Sequence, residues 1–310
     1  MQAQETARKA IRGTNSIINI VVLIVILMLL GFAGYALWDS KQLYASADKA
    51  NYAIYKPTVE NEGKSFQELQ AINPEVFAWL TVYGTNIDYP VVQGKNNMKY
   101  VNTNAEGTYS LSGAIFLDCE NSKDFSDFNS ILYGHHMQKQ VMFGEIDTFS
   151  DKNVFDSHRY GNLYFSGKNH GVEFFAFIHT SAYDSAMFDP GITQEEKKES
   201  YLNDLLKKAK HKRDIGITTK DHLILLSTCS SSSTNGRDIL VGKITNRAYA
   251  DPFLNTKTND PKEHKLGVDS QDGFLSHMSN YLGIAILAIL AALIILILVI
   301  INKRKNKSRR

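Results

Sequence analysis

Residues 221–245 read DHLILLSTCSSSSTNGRDILVGKIT, two apolar runs of strand length (223–226 and 239–244) on either side of a polar loop. The first run carries Cys229 to a strand end, where the backbone leaves a sheet and a side chain can meet a substrate. Seven residues of Ser, Thr, Asn and Gly follow, types that pack poorly and turn easily, and then comes Arg237. A thiol therefore stands at one lip of a loop and a guanidinium at the other.

Further short runs with strand character lie upstream, at residues 76–82, 87–92, 114–117, 129–133, 162–165 and 172–180. With the two around Cys229 they make eight, and that spacing predicts a mainly β fold, a barrel or sandwich. Most of their apolar residues are expected in the core. Residues 193–210 predict a helix inserted before the Cys229 strand. Thr193 is its expected cap, Glu195 and Glu196 sit in its first turn, and Lys207, Lys208 and Lys210 in its last, with Tyr201, Leu202, Leu205 and Leu206 as its apolar face. A shorter helix is expected from Ser65, with Glu68 completing a capping box, until Asn73-Pro74 stops it.

Residues 16–38 contain no charge over 23 positions, enough for a helix to span a bilayer, and residues 281–301 are a second charge-free span of 21. The first run exceeds a signal-peptide core and no small-x-small site follows it, so an uncleaved anchor is expected. Arg8, Lys9 and Arg12 precede the first span, and Lys303, Arg304, Lys305, Lys307, Arg309 and Arg310 follow the second. The positive-inside rule then puts both termini (1–15 and 302–310) in the cytoplasm and everything between the spans outside, a two-pass membrane protein. Tyr35, Trp38 and Tyr281 suit the interface. The remainder divides into a helical stalk (39–64), a single globular domain (65–250) and a polar linker (251–280).

Between the flanking clusters 25 basic residues face 31 acidic ones, a balance of −6 that argues against nucleic acid as a partner. Two cysteines, Cys119 and Cys229, offer neither a CxxC nor a zinc spacing. A domain of this size needs no disulfide, and Cys119 reads as a small apolar filler at a strand end. His158, His170, His179, His211, His222, His264 and His277 show no paired ligand spacing, and no acidic loop has EF-hand spacing, so neither metal nor cofactor is expected. His179, on an apolar strand, reads as a core or cleft-wall residue.

Leu226-Ser227-Thr228-Cys229 with Arg237 eight residues on is similar to the nucleophile motif of the sortases, membrane-bound cysteine transpeptidases of Gram-positive bacteria. Asn129 to His135, with Met137, Met142, Phe143 and Gly144, resembles the histidine strand of class B sortases, as does the helix before the Cys strand. The resemblance covers residues 66–248. It implies an eight-stranded sortase-type β-barrel, here with N-terminal helices and two flanking transmembrane helices. It also implies a nucleophile at Cys229, a general acid/base at His135 and oxyanion or substrate stabilisation by Arg237. His135 is chosen over His136 by its place after Tyr133-Gly134 and by alternation along the strand.

An LPxTG- or NPxTN-like sorting signal, cleaved after Thr and passed to an amine, is the implied substrate. A peptidoglycan amine and a pilin lysine both fit the acceptor. The second span departs from the single anchor associated with class B and resembles the pilin-polymerising class C; no DPx-type lid precedes the histidine strand. Ser227 and Thr228 are candidate substrate contacts. Tyr183, Met187 and Phe188 either contact the signal or pin the helix, and Arg237 alternatively pairs with Asp238 or solvent. Two rival functions remain: a tethered cysteine peptidase with water as acceptor, and a non-enzymatic tethered binding domain.

Overall fold

The computed structural model describes residues 2–58 and 63–254. The expected second span, most of the linker and the basic tail lie outside the described residues. Helix α1 (Gln2–Ser46) contains the first span; its apolar side chains, Ile17, Leu23, Leu30 and Trp38 among them, are exposed. Among the described residues, this helix alone is long and apolar enough to cross a membrane. Asp48 then caps a 3-10 helix (Lys49–Tyr55) by accepting from the Ala50 amide at 2.9 Å. Ala47 and Tyr52 are buried in the main core, so this part of the expected stalk is packed into the domain.

Helix α2 (Lys64–Ile72) starts one residue before Ser65, with Gly63 as its cap, whose φ of 76° brings the chain in. The expected Ser65 capping box does not form; the Ser65 hydroxyl instead donates to the Lys56 carbonyl at 3.2 Å. Phe66 and Leu69 are the face α2 buries.

Nine strands follow: β1 (Val76–Val82), β2 (Asp88–Val92), β3 (Ile115–Leu117), β4 (Asn129–Tyr133), β5 (Tyr160–Phe165), β6 (Lys168–Ser181), β7 (Ala209–Lys212), β8 (His222–Cys229) and β9 (Gly236–Thr245). Helix α3 (Lys152–Ser157) precedes β5, and α4 (Glu195–Lys208) precedes β7. Eight strands close a ring in the order β5-β1-β2-β3-β4-β8-β9-β6 and back to β5, and β7 adds to the edge of β6. The eight-stranded barrel expected from the resemblance is present. β7 departs from the sequence expectation, which ran the helix to residue 210. Its residues AKHK lack an apolar alternation, and main-chain pairing with residues 176–178 of β6 holds them. α4 also starts later than expected: Gln194, not Thr193, is its cap, and makes no side-chain bond there.

Alternation divides the apolar side chains between two cores. Leu80, Val91, Ile115, Leu132, Leu163, Phe174, Ile224 and Leu240 draw one core from every strand of the ring. Ile131, Ile178, Leu223, Leu225, Ile239 and Val241 point to the other face, against Met187, Tyr201 and Leu205. β8 is thus covered on both faces, which is why residues 223–226 read as an unbroken apolar run. Each such Leu or Ile contributes about 1.5–3 kcal/mol through burial.

Candidate active site

β4 and β8 run parallel, with Tyr133 opposite Ser227, and the Gly134 amide extends the pairing by donating to the Ser227 carbonyl at 3.2 Å. Two residues past that level, β8 ends at Cys229, and His135 stands in the segment that leaves β4. β9 runs antiparallel to β8 and sets Arg237 directly opposite Cys229, with Thr180 of β6 on its other side. The register therefore sets Cys229 opposite Arg237, with His135 just past the adjoining end of β4.

Cys229 is exposed and its thiol is free, as is that of half-buried Cys119. His135 is half-buried, and its Nε2 lies 2.8 Å from the Val101 carbonyl oxygen. A carbonyl only accepts, so Nε2 carries a proton and Nδ1 is the nitrogen left to exchange one in the neutral ring. The loop that follows is tightly held. The Phe143 amide donates to the His135 carbonyl at 3.1 Å, Met142 and Phe143 are buried, and a Cβ on Gly144 would fall 1.9 Å from the Met137 carbonyl oxygen. Lys139, Gln140 and Met142 adopt φ of 61°, 58° and 54°, strained for side-chain-bearing residues. Tyr89 braces this loop from behind: its hydroxyl accepts from the Met142 amide and donates to the Ala47 carbonyl, both at 3.0 Å.

Arg237 is half-buried and donates to the Gly236 carbonyl at 3.0 Å. No carboxylate pairs with it among the described residues; Asp238, its alternative partner, is buried and bound to His179 instead, Nδ1 to Oδ1 at 2.8 Å. Its charge reaches Tyr133. Burial and the Asp118 carboxylate push the Tyr133 phenol up, and the Arg237 guanidinium opposes them.

The expected substrate contacts fall into two groups. Tyr183 is 79% exposed, and Phe188 is half-buried with its ring 6.4 Å from that of Tyr133. Met187 is instead buried at 1%, and the Tyr201 hydroxyl of α4 donates to its carbonyl at 3.0 Å, so it pins the helix. Ser227 and Thr228 are also corrected: they are 1% and 2% exposed, and their hydroxyls have no hydrogen-bond partner among the described residues. Asp184 anchors the 182–192 loop by accepting from Thr180 at 2.7 Å and pairing with Lys208 at 2.6 Å.

Sequence reasoning missed two sets of contacts near Cys229. His136, on the opposite face of the strand from His135, pairs through Nε2 with Asp147 at 2.9 Å. Ser231 donates to the same carboxylate oxygen at 3.3 Å. His179 reaches from Asp238 to the Ser233 hydroxyl, Nε2 to Oγ at 3.3 Å. These partners are 54 to 84 residues apart in sequence except for His136 and Asp147, and only the folded register joins them. Among the described residues, no cluster of three His, Cys, Asp or Glu side chains is arranged to hold a metal.

No family model matches the chain. Sortase B of Staphylococcus aureus is 30% identical over 190 residues, 60% of this chain and 76% of that protein. Among solved structures, sortase B from the type II pilus of Streptococcus pneumoniae is 48% identical, covering 59% of this chain and 99% of that one, at a TM-score of 0.52. A Streptococcus pyogenes class B sortase involved in pilus biogenesis is 42% identical, covering the same 59% and 99%, at a TM-score of 0.54. Identity at this level, over nearly the whole of those structures and on the same barrel, decides the family. The chain belongs to the class B sortases and is a cysteine transpeptidase.

Proposed function

We propose that Cys229, His135 and Arg237 cleave a sorting signal of LPxTG or NPxTN type and pass its acyl group to an amine outside the cell. The Cys229 thiolate attacks the Thr carbonyl, and Arg237 stabilises the charge that develops on its oxygen. His135 gives a proton to the departing amine as the C–N bond breaks, leaving a thioester on Cys229. The same imidazole then takes a proton from the incoming amine, whose nitrogen displaces the sulfur. The observation that carries this reading is the register: parallel pairing of β4 and β8 ends at Tyr133 and Ser227, two residues short of His135 and Cys229, and antiparallel pairing opposes Cys229 to Arg237.

The pilus association of the two streptococcal relatives supports a pilin lysine as acceptor over a peptidoglycan amine. α1 serves as the anchor, and the basic residues before its apolar segment favour an extracytoplasmic catalytic domain. On this reading a second span at residues 281–301 returns the chain to the cytoplasm. Exposure of Cys229 favours one rival, hydrolysis of the thioester by water.

Mass spectrometry of the detergent-solubilised chain with LPxTG, NPxTN and pilin-like peptides tests the reading. The expected result is an acyl adduct on Cys229 that added lysine or diglycine discharges into an amide. Discharge at one rate with and without amine would make the protein a peptidase. Absence of any adduct with a peptide that is turned over would remove Cys229 from the chemistry.

A further inference from the structure

The loop of residues 230–236 joins Cys229 to Arg237, and its seven residues are small and polar, with little side chain to hold them in one shape. Two histidine–aspartate pairs flank it. On one side Asp147, held by His136, accepts from Ser231. On the other, His179, held by the buried Asp238, meets Ser233. Each carboxylate belongs to a different part of the fold, Asp147 to a 3-10 helix (Ile146–Ser150) and Asp238 to β9.

The loop's backbone is built for this approach. A Cβ on Gly236 would fall 2.0 Å from the Ser233 hydroxyl and 3.1 Å from Cε1 of His179, so the serine and histidine meet only because residue 236 has no side chain. Asn235, at φ 59°, turns the chain so that its carbonyl accepts from the Ala182 amide at 2.8 Å. Along β9 the faces alternate. Asp238 lies level with His179 and Thr228 on one face, whereas Arg237 lies level with Cys229 and Thr180 on the other. The His179–Asp238 pair therefore meets the loop from the face opposite Cys229 and Arg237.

We propose that His136–Asp147 and His179–Asp238 act as positioning pairs, clamping the 230–236 loop through Ser231 and Ser233 and so holding the Arg237 guanidinium, which donates to the Gly236 carbonyl, in one orientation beside Cys229 for thioester formation. This rests on the roles given above to Cys229 and Arg237. Neither pair donates or receives a proton in the reaction. Orientation of a fixed charge toward a developing oxyanion tolerates little displacement, so loosening the loop lowers kcat and leaves peptide affinity largely intact.

The test is the double variant Ser231→Ala with Ser233→Ala in the full chain, which leaves both histidine–aspartate pairs in place. Two hydrogen bonds of ordinary strength predict a fall in kcat of about 5–20-fold, with KM and the rate of Cys229 alkylation by iodoacetamide each within about twofold. Ser231→Thr with Ser233→Thr keeps both hydroxyls and restores kcat. An unchanged kcat, a KM effect alone, or no rescue by threonine overturns the clamp. Cys229→Ala run in parallel separates the two levels. If that variant is dead and the serine variants behave as wild type, the clamp alone is wrong. If Cys229→Ala still turns over peptide, the underlying reading falls and the clamp with it.

Discussion

Cys229 and Arg237 are direct cross-strand partners on β8 and β9, so main-chain register sets the spacing of their backbones. Opposed residues of an antiparallel pair hold their Cβ atoms roughly 4.5–5.5 Å apart on one face. A carbonyl under attack by the thiol would put its oxygen within reach of the guanidinium. Arg237→Ala is expected to lower kcat/KM about 100–1,000-fold, the usual cost of one oxyanion donor. Arg237→Lys restores only part of it, because a point charge cannot reproduce the planar fork. Steady-state peptide turnover measures both; a loss below tenfold for the alanine variant would remove Arg237 from the oxyanion site.

The two adjacent histidines separate cleanly. His135→Gln is expected to abolish turnover to below about one hundredth of wild type, the scale of a lost general acid/base. His136→Gln, which loosens the Asp147 contact only, costs about two- to fivefold in kcat, the scale of one hydrogen bond. Rates for both variants with one sorting peptide decide the matter, and the reverse order would transfer the proton chemistry to His136.

Asp184 gives the groove loop a pH dependence. Burial would raise its carboxyl, but the bonds from Lys208, Thr180 and the Met187 amide outweigh burial and hold it below the usual carboxylate range. A carboxyl lowered on folding contributes stability that is fully present above its unfolded value, about 3.9, and is lost as pH falls through the folded value. Asp184→Asn should therefore cost about 1 kcal/mol at pH 7, a figure reduced by the partial exposure of Lys208. The melting temperatures of variant and wild type then converge as pH drops below 4. Parallel curves would show that the carboxylate's charge is irrelevant to the loop.

Gly144 tests how firmly the histidine loop is held. With the Met137 carbonyl oxygen 1.9 Å from a would-be Cβ, Gly144→Ala must move backbone rather than a flexible side chain. A loss of about 2 kcal/mol or more is expected, with activity falling further than stability because His135 shares the loop. Thermal unfolding and kcat measured together check this; an unperturbed melting temperature would mean the loop yields freely.

The barrel was legible because eight strands bury one or both faces, and alternating or unbroken apolar runs are what such burial demands. β7 was not, since AKHK packs nothing and is recruited by the free edge of β6. Cys229, His135 and Arg237 could be picked out because motif spacing and strand ends coincide. His179, Asp238 and Ser233 could not, because a histidine on an apolar strand and an acid beside an arginine carry no local sign of each other. The one hint was Gly236, whose missing side chain reads as mere flexibility until His179 is seen against it. Ser227, Thr228 and Met187 misled in the other direction: proximity to the motif suggested contact with substrate, and burial assigns them to the interior.

The hydroxyl of Tyr89 joins the chain emerging from α1 to the strained turn beyond His135. A fragment trimmed to the strand-bearing residues 65–250 would strip the Tyr89 phenol of its acceptor and take away Tyr52, which lines a small hollow together with Tyr89. The segment that follows α1 is thus a working component of the enzyme as much as a connector.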